Sequence, residues 1–144
     1  MIRRIGALVG AGALVLAGVA SAAVAGTYSG KTSQHNGSIS LKVKNGSVVH
    51  ASFVDGTGKG SGCSSFAAPQ PQFPVSFKTH MAIAKNGTFS GTASPRDQEV
   101  FKLTGRISGS KITGSFTDKI PIGQLTSKGF TCSSGKVKYT ATRR

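Results

Sequence analysis

The chain has 144 residues, with 18 Lys and Arg against 4 Asp and Glu, which gives a formal net charge of +14 at pH 7. This length fits one domain, and so large a positive excess favours anionic partners such as polymers or lipid headgroups. The chain has no Trp and 2 Tyr. This composition disfavours neutral-glycan modules and the base-stacking platforms of single-strand binders, so specific nucleic-acid recognition is not expected.

The N-terminal residues have the three-part layout of a secretory signal peptide. Arg3 and Arg4 precede the uncharged stretch Ile5–Val19, and small-residue cleavage motifs end at Ala22 and Ala25. A spanning helix needs about 20 apolar residues, which is more than this stretch offers. We therefore expect cleavage after one of these two alanines and no stable membrane span in the mature protein.

Removal of the predicted signal peptide, residues 1–25, leaves residues 26–144 as a single secreted β domain. This domain keeps 16 basic residues against 4 acidic ones, a formal charge of +12. Export would place it outside the cell or on the cell envelope, and we expect a monomer.

Short runs of alternating apolar and polar residues fill the mature chain and are separated by turn residues. The runs predict strands over 27–31, 39–44, 49–53, 75–83, 89–93, 101–107, 112–116 and 137–141. Asn45-Gly46 and Asn86-Gly87 are hairpin signals because both residue types tolerate positive φ. Most connections are short, which favours antiparallel pairing of successive strands. The sequence thus predicts an all-β fold, an antiparallel meander of about eight strands.

Such a meander can bury its apolar face in a closed barrel or in a β-sandwich. Gly91, Gly105 and Gly114 fall at inward positions, and strand glycines often mark sharp bends at barrel corners. The regular strand spacing and these glycines favour the small barrel. Five of the eight Phe, together with both Tyr, also fall at inward positions.

Two long loops are predicted, over residues 55–74 and 120–134, and each holds one of the two cysteines. Two cysteines in an exported chain most often pair, so we expect a Cys63–Cys132 disulfide. The chain-entropy model gives such a bond roughly 4 kcal/mol of stability. The phenylalanines of these loops are either a cap over one barrel end or an exposed contact patch; they are Phe66, Phe73 and Phe130.

No motif for catalysis, metal binding or cofactor binding is complete. Gly30-Lys31-Thr32 has the end of a phosphate-binding loop, but Ala25 stands where the first glycine is required. The three histidines do not cluster in the sequence, and a metal site needs three or four convergent ligands. Asp97 and Glu99 are the only acids close in sequence, and on one strand they could not straddle a sugar. We expect no cofactor, no metal and no enzymatic activity.

Positive charge is the feature that remains. The basic residues predicted to project outward from strands are the candidate polyanion-binding residues, namely Lys42, Lys44, Lys78, Lys102, Arg106, Lys136 and Lys138. Lysines on outer strand faces also serve solubility and prevent edge-to-edge aggregation, which is the simpler interpretation of the same pattern.

Three segments together resemble small secreted β domains of actinobacterial exported proteins. They are Gly26-Thr-Tyr-Ser-Gly-Lys-Thr32, Asn86-Gly-Thr-Phe-Ser-Gly-Thr92 and Thr131-Cys-Ser-Ser-Gly-Lys-Val-Lys-Tyr-Thr-Ala141. The resemblance implies a secreted β fold and carries no known activity. The Gly-Thr-aromatic strand starts also look like those of avidin-type barrels, although this chain has no Trp to wall a ligand pocket.

The leading hypothesis is a non-enzymatic secreted domain that associates with anionic cell-envelope polymers through its basic surface. An alternative is a small β-barrel that binds an apolar ligand in its interior. A further alternative is a hydrolase whose site has no familiar motif.

Overall fold

The computed structural model describes residues 23–54, 75–95, 99–122 and 130–144, and for residues 120–122 and 130–132 it describes the backbone. Within these ranges the chain is all-β. Its strands are β1 (Gly26–Thr32), β2 (Ser38–Lys44), β3 (Ser47–Val54), β4 (Val75–Ala82), β5 (Thr88–Ala93), β6 (Val100–Ser108), β7 (Lys111–Ile122), β8 (Phe130–Ser133) and β9 (Val137–Arg143). Residues 1–22 of the predicted signal peptide lie outside the described residues.

The strands form one antiparallel sheet that curls into a nearly closed barrel. Hydrogen-bonded neighbours follow the order β4-β3-β2-β1-β9-β7-β6-β5, and β8 pairs with β7 beside this path. The eight-stranded antiparallel barrel is therefore confirmed, and the sandwich alternative is not adopted. β9 pairs with β1 on one side and with β7 on the other, so it connects the strands β1–β4 with the strands β5–β7. One unsealed seam separates β4 from β5, the two ends of the strand order.

The predicted hairpin signals have different outcomes. Asn45 and Gly46 have φ values of 50° and 70° and join β2 to β3, as expected for a two-residue hairpin. Asn86-Gly87 also forms a turn, in which Gly87 has a φ of 82° and the Ala84 amide donates to the Thr88 carbonyl at 2.8 Å. The prediction that this turn joins two paired strands is wrong, because β4 and β5 are the two ends of the strand order and do not pair. The Gly87 carbonyl accepts a hydrogen bond from the amide of Ile107 on β6.

Aromatic rings fill the interior at the end of the barrel where β3 ends and β4 and β6 begin. The ring of Phe101 stacks on Phe53 and Phe116, with centroids 4.4 Å and 5.0 Å apart, and Phe53 and Phe116 meet at a tilt with centroids 5.6 Å apart. Phe77 meets Phe101 edge-on at 5.3 Å. Separations of this size add favourable aromatic contacts to the burial of apolar area. All five phenylalanines predicted to face inward do so, together with both tyrosines.

Strand glycines make room for large side chains in the other half of the interior. A Cβ atom on Gly114 would lie 2.7 Å from the Tyr139 hydroxyl oxygen, and one on Gly105 would lie 2.6 Å from it. A Cβ on Gly91 would meet the side chain of Met81 across the seam, 2.7 Å from its Cγ. These glycines thus act by leaving space for a tyrosine and a methionine.

The prediction of an irregular loop over residues 120–134 is wrong in part. β7 continues to Ile122, and its last residues pair with β8, with Ile120 opposite Cys132 and Pro121 opposite Thr131. Proline is tolerated here because Pro121 lies beyond the residues of β7 that pair with β6 and β9, so its missing amide interrupts neither of those ladders. The loop over 55–74, which contains Cys63, lies outside the described residues. Of Cys132 only the backbone is described, so the Cys63–Cys132 disulfide stays a prediction, as does the role of Phe66, Phe73 and Phe130.

Residues before β1 pack on the barrel. The Tyr28 hydroxyl donates a hydrogen bond to the backbone carbonyl of Val24 at 2.7 Å, and Ala23 packs against the core. The folded domain therefore includes the segment between the two predicted cleavage sites.

Candidate polyanion-binding surface

The seven candidate basic residues are all exposed and lie on the outer face of the barrel or directly beside it. Alternation along each strand produces this placement, since their sequence neighbours face the core. Leu41 and Val43 flank Lys42 and are buried, and Val137 and Tyr139 flank Lys138 in the same way. The structure divides the seven residues between two regions of the outer face.

The first region is the β2–β4 patch, which comprises Lys42, Lys44, His50 and Lys78. His50 on β3 lies opposite Lys42 on one side and opposite Lys78 on the other. The three side chains therefore form one row across three neighbouring strands. Lys44 follows Lys42 on the same face of β2 and extends the patch toward the Asn45-Gly46 turn.

A β-bulge in β3 shapes this patch. Val43 pairs with Val48 but Lys42 pairs with His50, so Val49 is an extra residue in β3. Val48 is fully buried, whereas Val49 and His50 are both half-buried on the outer side. A bulge changes the direction of side chains in this way. The prediction that Val49 faces inward is therefore wrong, and Val48 takes that position.

The bulge and the surrounding lysines form a shallow depression of about 390 Å³. It is lined by Lys42, Lys44, Val49, His50 and Lys78. The His50 Nε2 atom lies 3.3 Å from the Ser76 hydroxyl oxygen on β4, a hydrogen bond in which the donor depends on the tautomer. The sequence analysis considered the histidines only as metal ligands and did not connect His50 with the lysines. The signal that it belongs with them is the register, which the sequence does not show.

The second region is the β6–β9 patch, which comprises Lys102, Arg106, Lys136 and Lys138. Here uncharged residues separate the basic ones. Lys102 lies opposite Thr117, Arg106 opposite Thr113, and Lys138 opposite Ser115. As in the β2–β4 patch, the register therefore pairs no two of these basic residues directly with each other.

The described basic residues lie on the surface, and the described acidic residues lie in the interior. All 13 Lys and Arg among the described residues are exposed. The two described acids, Glu99 and Asp118, are 0% and 2% exposed. No acidic side chain of the described residues thus neutralises the outer face.

Sequence reasoning considered Glu99 together with Asp97 and did not connect Glu99 with Asp118. Phe101 pairs with Asp118, and Glu99 comes two residues before Phe101, so both carboxyl groups face the same end of the interior. Both groups have interaction partners within the folded chain. Two facing carboxylates are what glycoside hydrolysis requires, but their burial disfavours contact with a polymeric substrate. Asp97, the partner considered from the sequence, lies outside the described residues.

The remaining motifs receive no functional role from the described residues. Gly30-Lys31-Thr32 is part of β1, and Gly30 packs against the backbone of Thr140 and Ala141 on β9, which is unlike a phosphate-binding loop. In the part of the chain that the structure describes, no three His, Cys, Asp or Glu residues are grouped as a metal site would require. The glycine-rich stretch 56–62 falls outside that part.

The described residues contain no helix that is long and apolar enough to cross a membrane. No protein-family model, curated protein or solved structure matches the chain. The function is therefore argued from the surface just described.

Proposed function

We propose that this chain is a non-enzymatic, exported domain that associates with anionic polymers of the cell envelope through its basic outer face. The observation that supports the proposal is the separation of charge, in which the described basic side chains are exposed and the described acids are buried. Such a surface attracts polyanions, and the attraction weakens as salt screens it. The resemblance to small secreted actinobacterial domains is compatible with this location.

The test is co-sedimentation of the purified protein with isolated cell envelope across a salt series. The variant K42E/K44E/K136E/K138E reverses charge in both patches, and K42R/K44R/K136R/K138R keeps the charge as a matched control. We expect wild type and the arginine control to bind at low salt and to be released as salt rises. For flexible polyanions the slope of log K against log salt is about −0.7 per neutralised phosphate, so the glutamate variant should show a flatter slope.

Unchanged binding by the glutamate variant would contradict the proposal. So would an absence of binding by wild type at low salt, which would leave solubility as the role of the positive charge.

The second candidate is a barrel that binds an apolar ligand, and the seam between β4 and β5 is the observation that favours it. Phe77 and Thr79 on β4 and Ala93 on β5, the two strands that border this seam, are only half-buried. The stacked phenylalanines reduce the space for a ligand. Titration with an apolar fluorescent dye tests this candidate, and binding no stronger than to a control protein would exclude it.

A further inference from the structure

We infer that the β2–β4 patch is a site for the phosphate groups of an anionic polymer. This inference rests on the proposed function and narrows it, since it names the part of the basic face that makes the specific contact and the chemical group it contacts. The argument uses the register of the strands, the bulge, the type of basic residue and the contrast with the β6–β9 patch.

The strand register places two lysines on either side of His50. Lys42 and Lys78 occupy the strands on either side of His50, and neighbouring strands are about 4.8 Å apart. Both lysines have long, flexible side chains that can turn toward the imidazole between them. Lys44 borders the same depression. An anion above His50 can therefore be approached by three ammonium groups from different sides.

The bulge provides the floor of the site. It directs Val49 and His50 to the same side of the sheet, so that an apolar side chain and an imidazole lie next to each other beneath the lysines. The Nε2 atom of His50 is occupied by Ser76, which leaves Nδ1 for a ligand. An anion in this depression could therefore contact the Nδ1 atom of His50 as well as the lysine ammonium groups.

The type of basic residue suits a phosphate ligand. Lysine is a common ligand of phosphate groups and binds them as a point charge, whereas arginine recognises both carboxylate and phosphate through two parallel hydrogen bonds. The β2–β4 patch contains three lysines and no arginine. A phosphate group in a polymer carries its charge on oxygens that can accept from several ammonium groups at once.

Like charges on neighbouring strand positions destabilise a sheet. In this patch the described residues supply no exposed carboxylate to offset that repulsion. A bound anion would relieve it, so the ligand should raise the thermal stability of the protein, as any ligand that binds only the folded state does. In the β6–β9 patch uncharged residues also separate the basic ones, so the two patches differ in the bulge and in the His50 imidazole of the β2–β4 patch.

The contrast between the patches supplies a matched pair of variants. K42Q/K44Q/K78Q and K102Q/K136Q/K138Q each remove three positive charges from exposed strand positions or their immediate neighbours. The probe is inorganic tripolyphosphate, measured by isothermal titration calorimetry, with NMR of the His50 ring as a second readout. We expect the first variant to bind at least ten-fold more weakly than wild type and the second less than three-fold more weakly. In wild type, the His50 resonances should shift on titration.

Equal losses in the two variants, or an unshifted His50 ring, would overturn the site. Equal affinity for polyglutamate would overturn the preference for phosphate, and binding to phosphatidylglycerol vesicles without binding to tripolyphosphate would make the ligand a lipid surface. Envelope co-sedimentation separates this inference from the proposed function. If wild type sediments with the envelope and the two variants lose binding equally, the proposed function stands and the site fails. If wild type does not sediment at all, the proposed function fails.

Discussion

The hydroxyl group of Tyr139 on β9 donates a hydrogen bond of 3.0 Å to the backbone carbonyl of Thr104 on β6, across the intervening strand β7. The side chain can pass over β7 because Gly114, the residue opposite Tyr139, has no side chain to block it. One tyrosine thus links two strands that do not pair with each other.

Burial raises the pKa of Tyr139 above its ordinary value of about 10. Since the folded-state pKa is the higher one, the contribution of this phenol to stability is complete below about pH 10 and declines as the pH rises further. We expect Tyr139→Phe to lose about 1 kcal/mol of unfolding free energy at pH 7, from the hydrogen bond. Above pH 10, the difference between wild type and the variant should shrink. Urea denaturation from pH 7 to pH 11 measures both effects.

The informative quantity is the difference in unfolding free energy between the two proteins at each pH, because it removes every contribution that they share. A constant difference from pH 7 to pH 11 would contradict the assignment of the alkaline loss to Tyr139.

The bulge in β3 predicts opposite tolerances at two neighbouring valines. Val48 is fully buried, so Val48→Thr places a hydroxyl in the core and should cost about 1–3 kcal/mol. Val49 lines the outer depression, so Val49→Thr should change stability by less than about 0.5 kcal/mol. Chemical denaturation of the two variants tests this prediction. If β3 alternated strictly, without a bulge, Val49→Thr would be the more destabilising substitution.

Two glycines should differ in their tolerance of alanine because their neighbours differ. A Cβ on Gly30 would overlap the backbone carbonyl oxygen of Thr140, so β1 and β9 would have to separate. A Cβ on Gly91 would meet the flexible side chain of Met81, which can move. Overpacking typically costs 1–3 kcal/mol, and we expect Gly30→Ala to reach about 3 kcal/mol or more and Gly91→Ala to stay near 1 kcal/mol. Similar melting temperatures for the two variants would count against this account.

The contact between Tyr28 and Val24 distinguishes the two predicted cleavage sites. Cleavage after Ala25 would remove the carbonyl that accepts the tyrosine hydrogen bond and would also remove Ala23 from the core. We therefore expect the exported protein to begin at Ala23, which intact-mass measurement of the secreted product would establish. A mass corresponding to a start at Gly26 would refute this choice.

Alternation and turn chemistry predict most of the barrel, because each depends on residues that are close together in the sequence. The positions of Phe101 and Leu103 inside and Lys102 outside follow directly from period two. Asn45-Gly46 likewise predicts its hairpin, since the required positive φ values are a local property.

Features that depend on partners distant in sequence were missed. The bulge at Val49 depends on the register between β3 and β2, and no residue type at the bulge indicates it in the sequence. Asn86-Gly87 makes its turn, but the local turn signal does not reveal that the flanking strands, β4 and β5, end at opposite edges of the strand order. The shared burial of Glu99 and Asp118 likewise requires the register between β6 and β7.

The strand that comes last in the chain lies in the interior of the sheet. β9 pairs with β1 on one side and with β7 on the other, so it is the link between the sheet β1–β4 and the sheet β5–β7. Until Val137–Arg143 are available, these are two half-sheets, each with unpaired edges of the kind that promote aggregation. Contacts this distant in sequence form slowly. Closure of the barrel therefore requires β9 and cannot precede its synthesis.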